Sequence, residues 1–371
     1  MRIGLNARLV GTDRTYRRAG VSRYIASLIE HLPRELGPDD ELIVVGRPAA
    51  TQSRSPLTRV RRHPIARIAW EQTALPLQAR HGHWDLTHSP VNVSPLLSSG
   101  RSVVTVHDLA FVTAPETIPS GRRRYLTALT AHSVRHAARV IAVSESTRRD
   151  LATWFGVDPD LVTVTPLAAE ERFRISSPAS IDAFRTRSGQ ARPYILSVGT
   201  REPRKNSATL VRAFASLAGE IPHDLVLVGP AGWLGGELDD ALAALPAPVR
   251  ERVRQTGFVD DADLPLWYGA ASVFAYPARY EGFGLPVLEA MACGAPVVTS
   301  NVSSLPEVIG DAGLLVSPND PEDLTGAILS VITNDALATD LSHRGRQRAS
   351  LFSWSETARL TVQAYRAALG R

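Results

Sequence analysis

Short apolar runs rich in Val, Ile and Leu alternate with helix-like stretches from one end of this 371-residue chain to the other. Continuous apolar runs of four to six residues suit strands buried on both faces, which occur in parallel sheets covered by helices on each side. Parallel neighbours must be joined by crossovers, usually helical, so the alternation leaves α/β layers as the fold class. Strands are expected at 2–6, 41–45, 85–88, 103–107, 139–143 and 161–165, with helices at about 21–32, 122–137 and 145–154. A second series of strands is expected at 194–198, 224–228, 253–258, 272–275, 296–299 and 313–316, with helices at about 207–218, 262–270, 285–292 and 321–332. Ser144 reads as a helix N-cap.

Single hydrophobic cores stop growing at roughly 250–300 residues, so this length implies two domains. Ser176-Ser177-Pro178-Ala179-Ser180 has the composition of a linker. The expected division is therefore a Rossmann-like domain over 1–177 and a second over 178–354. A last helix at about 355–369 can complete the first domain or pack on the second. With 44% hydrophobic and 21% charged residues the chain has an ordinary globular composition. One cysteine, Cys293, excludes an internal disulfide and any zinc site built on several thiolates. No apolar run approaches the ~20 residues that cross a bilayer, and residues 1–6 read as a strand with no leader pattern. A cytoplasmic protein is expected. A net charge of +4 is too slight to argue for nucleic acid as a partner.

Of 41 basic residues only one, Lys205, is lysine. It follows an apolar strand, in Ser197-Val198-Gly199-Thr200-Arg201-Glu202-Pro203-Arg204-Lys205-Asn206. An ammonium is a compact point charge where guanidinium is a planar fork, and a tight phosphate contact distinguishes them. A phosphate-binding lysine is one reading and a chance surface survivor the other.

The richest segment is Tyr276-Pro277-Ala278-Arg279-Tyr280-Glu281-Gly282-Phe283-Gly284-Leu285-Pro286-Val287-Leu288-Glu289. Gly282 and Gly284 permit close backbone approach to a ligand, and Pro286 suits the first turn of a helix. The free amides of that turn form an anion site. Glu281 and Glu289 flank it, eight residues apart, a helical span of about 12 Å. Two carboxylates at that spacing, with an anion site between, match a diphosphate carrying a sugar at each end.

On these motifs the chain resembles the retaining glycosyltransferases of family 4, with the GT-B fold of two Rossmann-like domains facing across a cleft. The resemblance rests on Glu281…Glu289, Gly294-Ala295-Pro296-Val297-Val298 and Glu202-Pro203-Arg204-Lys205-Asn206. Val106-His107-Asp108, Ala142-Val143-Ser144-Glu145-Ser146 and Ala19-Gly20-Val21-Ser22-Arg23-Tyr24 add to it, and the bacterial mannosyltransferase-like branch is the nearest in character. It implies hexose transfer to a glycan, lipid-linked or other hydroxyl acceptor, with GDP-mannose the preferred donor and UDP- or dTDP-linked hexoses left open. Lys205 and Arg204 would neutralise the donor diphosphate, Glu281 would bind the donor sugar and Glu289 the ribose. The backbone of Phe283, Gly284 and Leu285 would meet sugar and phosphate. Gly20 would let the first helix approach the diphosphate, and Gly199 would open the lysine turn. His107 would lie near the transferred sugar and Phe258 against the base. Family members commonly have arginine where this chain has Thr200, so Arg201 or Arg204 would supply that charge. Pro166-Leu167-Ala168-Ala169 replaces the family's Asn-Gly-Val-Asp. Two alternatives stay open: a non-catalytic nucleotide-sugar-binding subunit and a nucleotide-sugar epimerase on the same fold.

His107 and Asp108 are adjacent on a strand end and point to opposite faces, so they do not form a dyad. Asp260, Asp261 and Asp263 read as helix-capping residues rather than metal ligands. No metal and no cofactor is expected beyond the nucleotide sugar as substrate. Arg59, Arg61, Arg62, His63 and Arg67, then Arg122, Arg123 and Arg124, with Arg135, His136 and Arg139, make the first domain basic. They are either a surface for an anionic membrane or lipid-linked acceptor, or a solvated face.

Overall fold

In the computed structural model residues 1–10, 20–46, 64–96 and 100–371 are described, with backbone alone at 64–67. Ala19, the arginine run 59–62, His63 and the Arg67 side chain lie outside the described residues.

The apolar runs form two six-stranded sheets, and all their described strand pairs are parallel. In the first unit β1 (Arg2–Asn6) is followed by α1 (Gly20–Glu35), β2 (Glu41–Val45) and α2 (Pro64–His81). Then come β3 (Leu86–Ser89), β4 (Arg101–Val106), α3 (Ser120–His136), β5 (Arg139–Ala142), α4 (Glu145–Phe155) and β6 (Val162–Val164). The strand order is β2-β1-β3-β4-β5-β6. Ser144 caps α4 as expected, accepting the Thr147 amide at 3.0 Å, and Gly156 ends it in the left-handed region.

The second unit runs α5 (Pro178–Ser188), β7 (Tyr194–Val198), α6 (Ser207–Leu217), β8 (Asp224–Val228), β9 (Val253–Gly257), α7 (Leu264–Gly269) and β10 (Val273–Tyr276). It continues with α8 (Leu285–Ala292), β11 (Val297–Ser300), β12 (Leu314–Val316), α9 (Pro321–Thr333) and α10 (Asp335–Ala349). Its order, β12-β11-β10-β7-β8-β9, reverses direction between β7 and β10. In open α/β sheets the ligand crevice lies at such a switch point, outside the carboxyl ends of the strands, here β7 and β10. The core beneath it is apolar and fully enclosed, with Ile195, Leu225, Val273 and Val298 packed against Leu210, Phe214, Leu324 and Ile328.

The chain divides into Met1–Leu167 with Trp354–Arg371, and Ala168–Ser353. The expected linker is instead a helix start: the Ser177 hydroxyl accepts the Ser180 amide at 3.2 Å and Pro178 occupies the first turn of α5. The last helix, α11 (Trp354–Leu369), completes the first unit. Its Tyr365 hydroxyl meets His88 Nδ1 at 2.7 Å, and His88 Nε2 meets Thr105 Oγ1 at 2.8 Å. Burial drives the His88 ring down to about 3, so this enclosed network is neutral. Helices α2 and α10 escape the sequence pattern because α2 carries Pro76 in its interior and α10 is dominated by polar and charged residues.

One close approach fixes the site's backbone. A Cβ on Gly229, at φ 136°, would stand 2.0 Å from the carbonyl oxygen of Gly199. Gly229→Ala is therefore expected to destabilise the second unit by about 3 kcal/mol, read by urea unfolding. An unchanged midpoint would mean the two turns separate freely.

Candidate active site

The β7 turn and the loop after β10 carry the sequence-predicted charges, and the reversal in strand order places them side by side. Pro203–Lys205 forms a single 3-10 turn, and Asn206 follows in the left-handed region at φ 57°, which asparagine tolerates. Buried Asn206 donates to the carbonyls of Pro277 at 3.0 Å and Pro318 at 2.7 Å, while its Oδ1 accepts from Thr209 at 2.8 Å. These bonds bolt the lysine turn to the β10 loop.

Lys205 then reaches Tyr276 and Glu281. Its Nζ donates to the Tyr276 hydroxyl at 2.6 Å and to Glu281 Oε1, and it lies over the Tyr276 ring. The Tyr276 hydroxyl donates to the same Glu281 oxygen at 2.8 Å. Arg204 takes the other oxygen: one guanidinium nitrogen stands 3.1 Å from Glu281 Oε2 and another donates to Glu202 Oε1 at 2.8 Å. Burial by itself raises the Glu281 carboxyl. The Arg204 and Lys205 charges and the bonds from Lys205 and Tyr276 outweigh it and bring the group down to about 2. Burial and the Glu281 charge push the Tyr276 phenol well above its ordinary range. Glu281 is thus an anion and Tyr276 a neutral donor across the physiological range.

Lys205 also lines a recess with Gly199, Arg201 and Ser207 at the ends of β7 and β8. Arg201 is turned away, donating to the Gly229 carbonyl at 2.7 Å, so Arg204 is the arginine that stands in the cluster. Gly284, at φ 105°, precedes α8; in the first turn Pro286 has no N–H and the Val287 amide donates to the Gly284 carbonyl at 2.9 Å, which leaves Leu285 as the first-turn amide without an intrahelical acceptor. Glu289 stands further along α8, 3% exposed, with its Oε2 accepting from the Tyr268 hydroxyl at 3.0 Å. Phe283 is buried edge-on against Phe352, and Leu285 opens the helix. Phe258 lies outside this cluster, beyond Gly257 at the end of β9, with 48% of its surface exposed.

Gly20 and His107 belong to the first unit. Gly20 opens α1. His107 follows β4, its Nε2 3.0 Å from the Pro90 carbonyl, its ring edge-on to Tyr24. A carbonyl only accepts, so Nε2 carries the proton, and burial holds the ring below its usual range and neutral. Asn92 fixes the His107–Asp108 peptide, accepting the His107 amide at 3.1 Å and donating to the Asp108 carbonyl at 2.8 Å. Asp108 accepts the Ala110 amide at 3.2 Å, as a turn-capping residue does.

The aspartates after β9 hold local structure. Asp260 accepts the Ala262 amide at 3.0 Å, and Asp263 pairs with Arg187 at 2.6 Å. Asp263 does occupy the N-cap position of α7, but its side chain makes no capping bond, since Arg187 has taken it. Among the described residues no group of three or more His, Cys, Asp or Glu gathers as a metal site.

Sequence reasoning passed over Tyr276, Asn206, Ser303 and Ser304. The first two sit within the motifs; the serines follow β11, and their position at a strand's carboxyl end was the available signal. Chemically, the site is a pair of cations shared between the buried carboxylates of Glu202 and Glu281, beside a helix start. It suits a phosphorylated, hydroxyl-rich ligand.

Comparison with known proteins agrees. Residues 18–170 match the family described as Glycosyltransferase Family 4, and residues 180–348 match Glycosyl transferases group 1. The O-antigen chain mannosyltransferase B of Escherichia coli is 39% identical over 271 residues, covering 72% of this chain and 70% of that protein. The serotype-specific mannosyltransferase WbdA of Escherichia coli is 29% identical over 272 residues, covering 71% of this chain but 33% of that longer protein. The sucrose-phosphate synthase of Thermosynechococcus elongatus superposes with a TM-score of 0.74 over 98% of each chain at 23% identity, which speaks for the fold.

Proposed function

Since the chain belongs to glycosyltransferase family 4, with the GT-B fold, we propose that it transfers mannose from GDP-mannose to a glycan or lipid-linked hydroxyl with retention at the anomeric carbon and without a metal ion. The observation that carries this reading is the Arg204–Lys205–Tyr276–Glu281 cluster. Two of the three Lys205 ammonium protons are spent on Tyr276 and Glu281, leaving the third for a ligand oxygen. A diphosphate carries more negative charge than the Glu281 carboxylate and competes for the same cations.

As the bond from the anomeric carbon to the phosphate breaks, the leaving group gains charge and the sugar becomes oxocarbenium-like. Lys205, Arg204 and the start of α8 act on the first change and the Glu281 anion on the second. All four contribute more in the transition state than in the ground state. No side chain in the cluster is placed to take a proton: Glu281 is held ionised by two cations. The departing diphosphate itself takes the acceptor proton in this scheme, which suits retention. Glu289 serves the ribose hydroxyls and exposed Phe258 offers a stacking face to the base. The mannose assignment is supported by the Escherichia coli relative; metal independence by the two cations in the place a metal would serve.

The acceptor side is the first unit, whose helix α3 exposes Arg122, Arg124, Arg135 and His136. These cations suit an anionic lipid-linked acceptor or membrane surface. No described helix is long and apolar enough to cross a membrane.

A thermal-shift panel with GDP, UDP, dTDP and ADP in EDTA tests the donor class. A ligand at 100 times its dissociation constant stabilises by about 2.7 kcal/mol. GDP is expected to raise Tm for the wild type and to lose most of that effect in Glu289→Ala. A shift from another nucleotide reassigns the donor, and no shift from any of the four contradicts the transferase reading.

A further inference from the structure

Ser303 is one of four described non-glycine residues with positive φ, at 51°. A serine there strains its backbone where glycine would not. Its hydroxyl accepts the backbone amide of Glu281 at 2.9 Å and donates to the Val302 carbonyl at 2.8 Å. The neighbouring Ser304 is fully buried, and its hydroxyl lies 2.9 Å from the Glu281 carbonyl and 2.8 Å from that of Phe283. The loop between β10 and α8 is held from one side by the lysine turn, where the Arg279 amide donates to the Arg204 carbonyl at 2.8 Å and Arg204 donates to the Tyr280 carbonyl at 3.0 Å, and from the other by the two serines. Arg204 and Lys205 pull on the Glu281 side chain, and the two serines hold its backbone.

We infer that Ser303 is a positioning residue for Glu281: its hydroxyl fixes the Glu281 amide and thereby sets where the carboxylate meets the donor sugar. This rests on the reading of Glu281 as the contact to that sugar. The strain is the telling feature. Glycine at 303 would relieve the backbone, so a side chain retained there against its conformational preference has a task. Ser304 closes the same turn from inside the core and is structural, since both of its partners are backbone carbonyls.

Two variants move backbone strain in opposite directions while only one keeps the hydroxyl, which separates stability from turnover. Ser303→Gly removes the strain and the hydroxyl together, and Ser303→Thr keeps the hydroxyl but adds a β-branched side chain in the left-handed region. The test measures Tm and steady-state release of GDP from GDP-mannose for the wild type, both variants and Glu281→Ala. For Ser303→Gly, kcat is expected to fall about tenfold with the donor KM changed less than threefold, while Tm stays close to the wild type. For Ser303→Thr, Tm falls, and kcat is restored to within threefold of the wild type. A purely structural serine gives the opposite pattern, with glycine active and threonine impaired in step with its lost stability, and that result overturns the inference. Normal turnover in Glu281→Ala overturns the reading of the site itself, and the inference with it.

Discussion

Glu281→Gln turns over the donor at least 100-fold more slowly than the wild type, while its affinity for GDP is no weaker. Glutamine keeps the shape of the side chain and one hydrogen-bond acceptor but removes the anion that faces the developing positive charge on the sugar. In the proposed scheme the nucleotide is held elsewhere, by Lys205, Arg204, the start of α8 and Glu289. Glu281 also holds Lys205 and Arg204, so its neutralisation frees both cations for a ligand phosphate. Stability moves as well. The side chains of Arg204 and Lys205 are each 14% exposed, and removing their shared carboxylate leaves partly buried charge uncompensated. A cost of about 3 kcal/mol follows, roughly 6–12 °C in Tm for a unit of this size. The pH sign is fixed by the depressed carboxyl. In the unfolded chain the group titrates near its ordinary 4.5 and in the fold near 2, so its contribution is complete above about 4.5 and disappears as pH falls to about 2. The wild type loses stability through that window and Glu281→Gln lacks this component. Steady-state kinetics, GDP calorimetry and thermal unfolding between pH 2 and 7 check all three statements. Turnover within threefold of the wild type would remove Glu281 from the chemistry.

Lys205→Arg lowers kcat at least tenfold, about 1.4 kcal/mol in the barrier, although the charge is conserved. The ammonium sits between the Tyr276 hydroxyl and Glu281, with its stem against Gly199, where a Cβ would come within 3.7 Å of Cε. A guanidinium is wider and planar. In that space it either displaces Tyr276 and Glu281 from each other or projects into the recess lined by Gly199, Arg201 and Ser207. The chain has every other basic position as arginine, so arginine at 205 is the substitution its composition would favour and its chemistry resists. Kinetics of the variant at saturating donor test this; near-normal kcat would show that any cation suffices.

The alternating apolar runs were enough to read both sheets, because strands buried on two faces leave an unmistakable pattern. Helices at the surface were harder. Pro76 interrupts α2, and Ser177-Pro178 has a linker's composition although it is a helix cap with proline in the first turn. The charged residues of the site were legible because Glu281 and Lys205 sit within glycine- and proline-marked loops and Glu289 on the helix that Pro286 opens. The residues that hold them were less so. Tyr276 opens the motif segment just past the expected strand but carries no charge to single it out, and Ser303 belongs to a turn whose value appears only when β11 is placed beside β10. Such partners are distant in sequence, and nothing local marks them.

The most direct measurement is a structure of the chain with GDP-mannose bound. The account predicts diphosphate oxygens within about 3 Å of Lys205 Nζ. It also predicts ribose hydroxyls on Glu289 and the mannose ring against Glu281. A donor whose diphosphate lies away from Lys205, with the Lys205–Glu281 pair still closed, would contradict it.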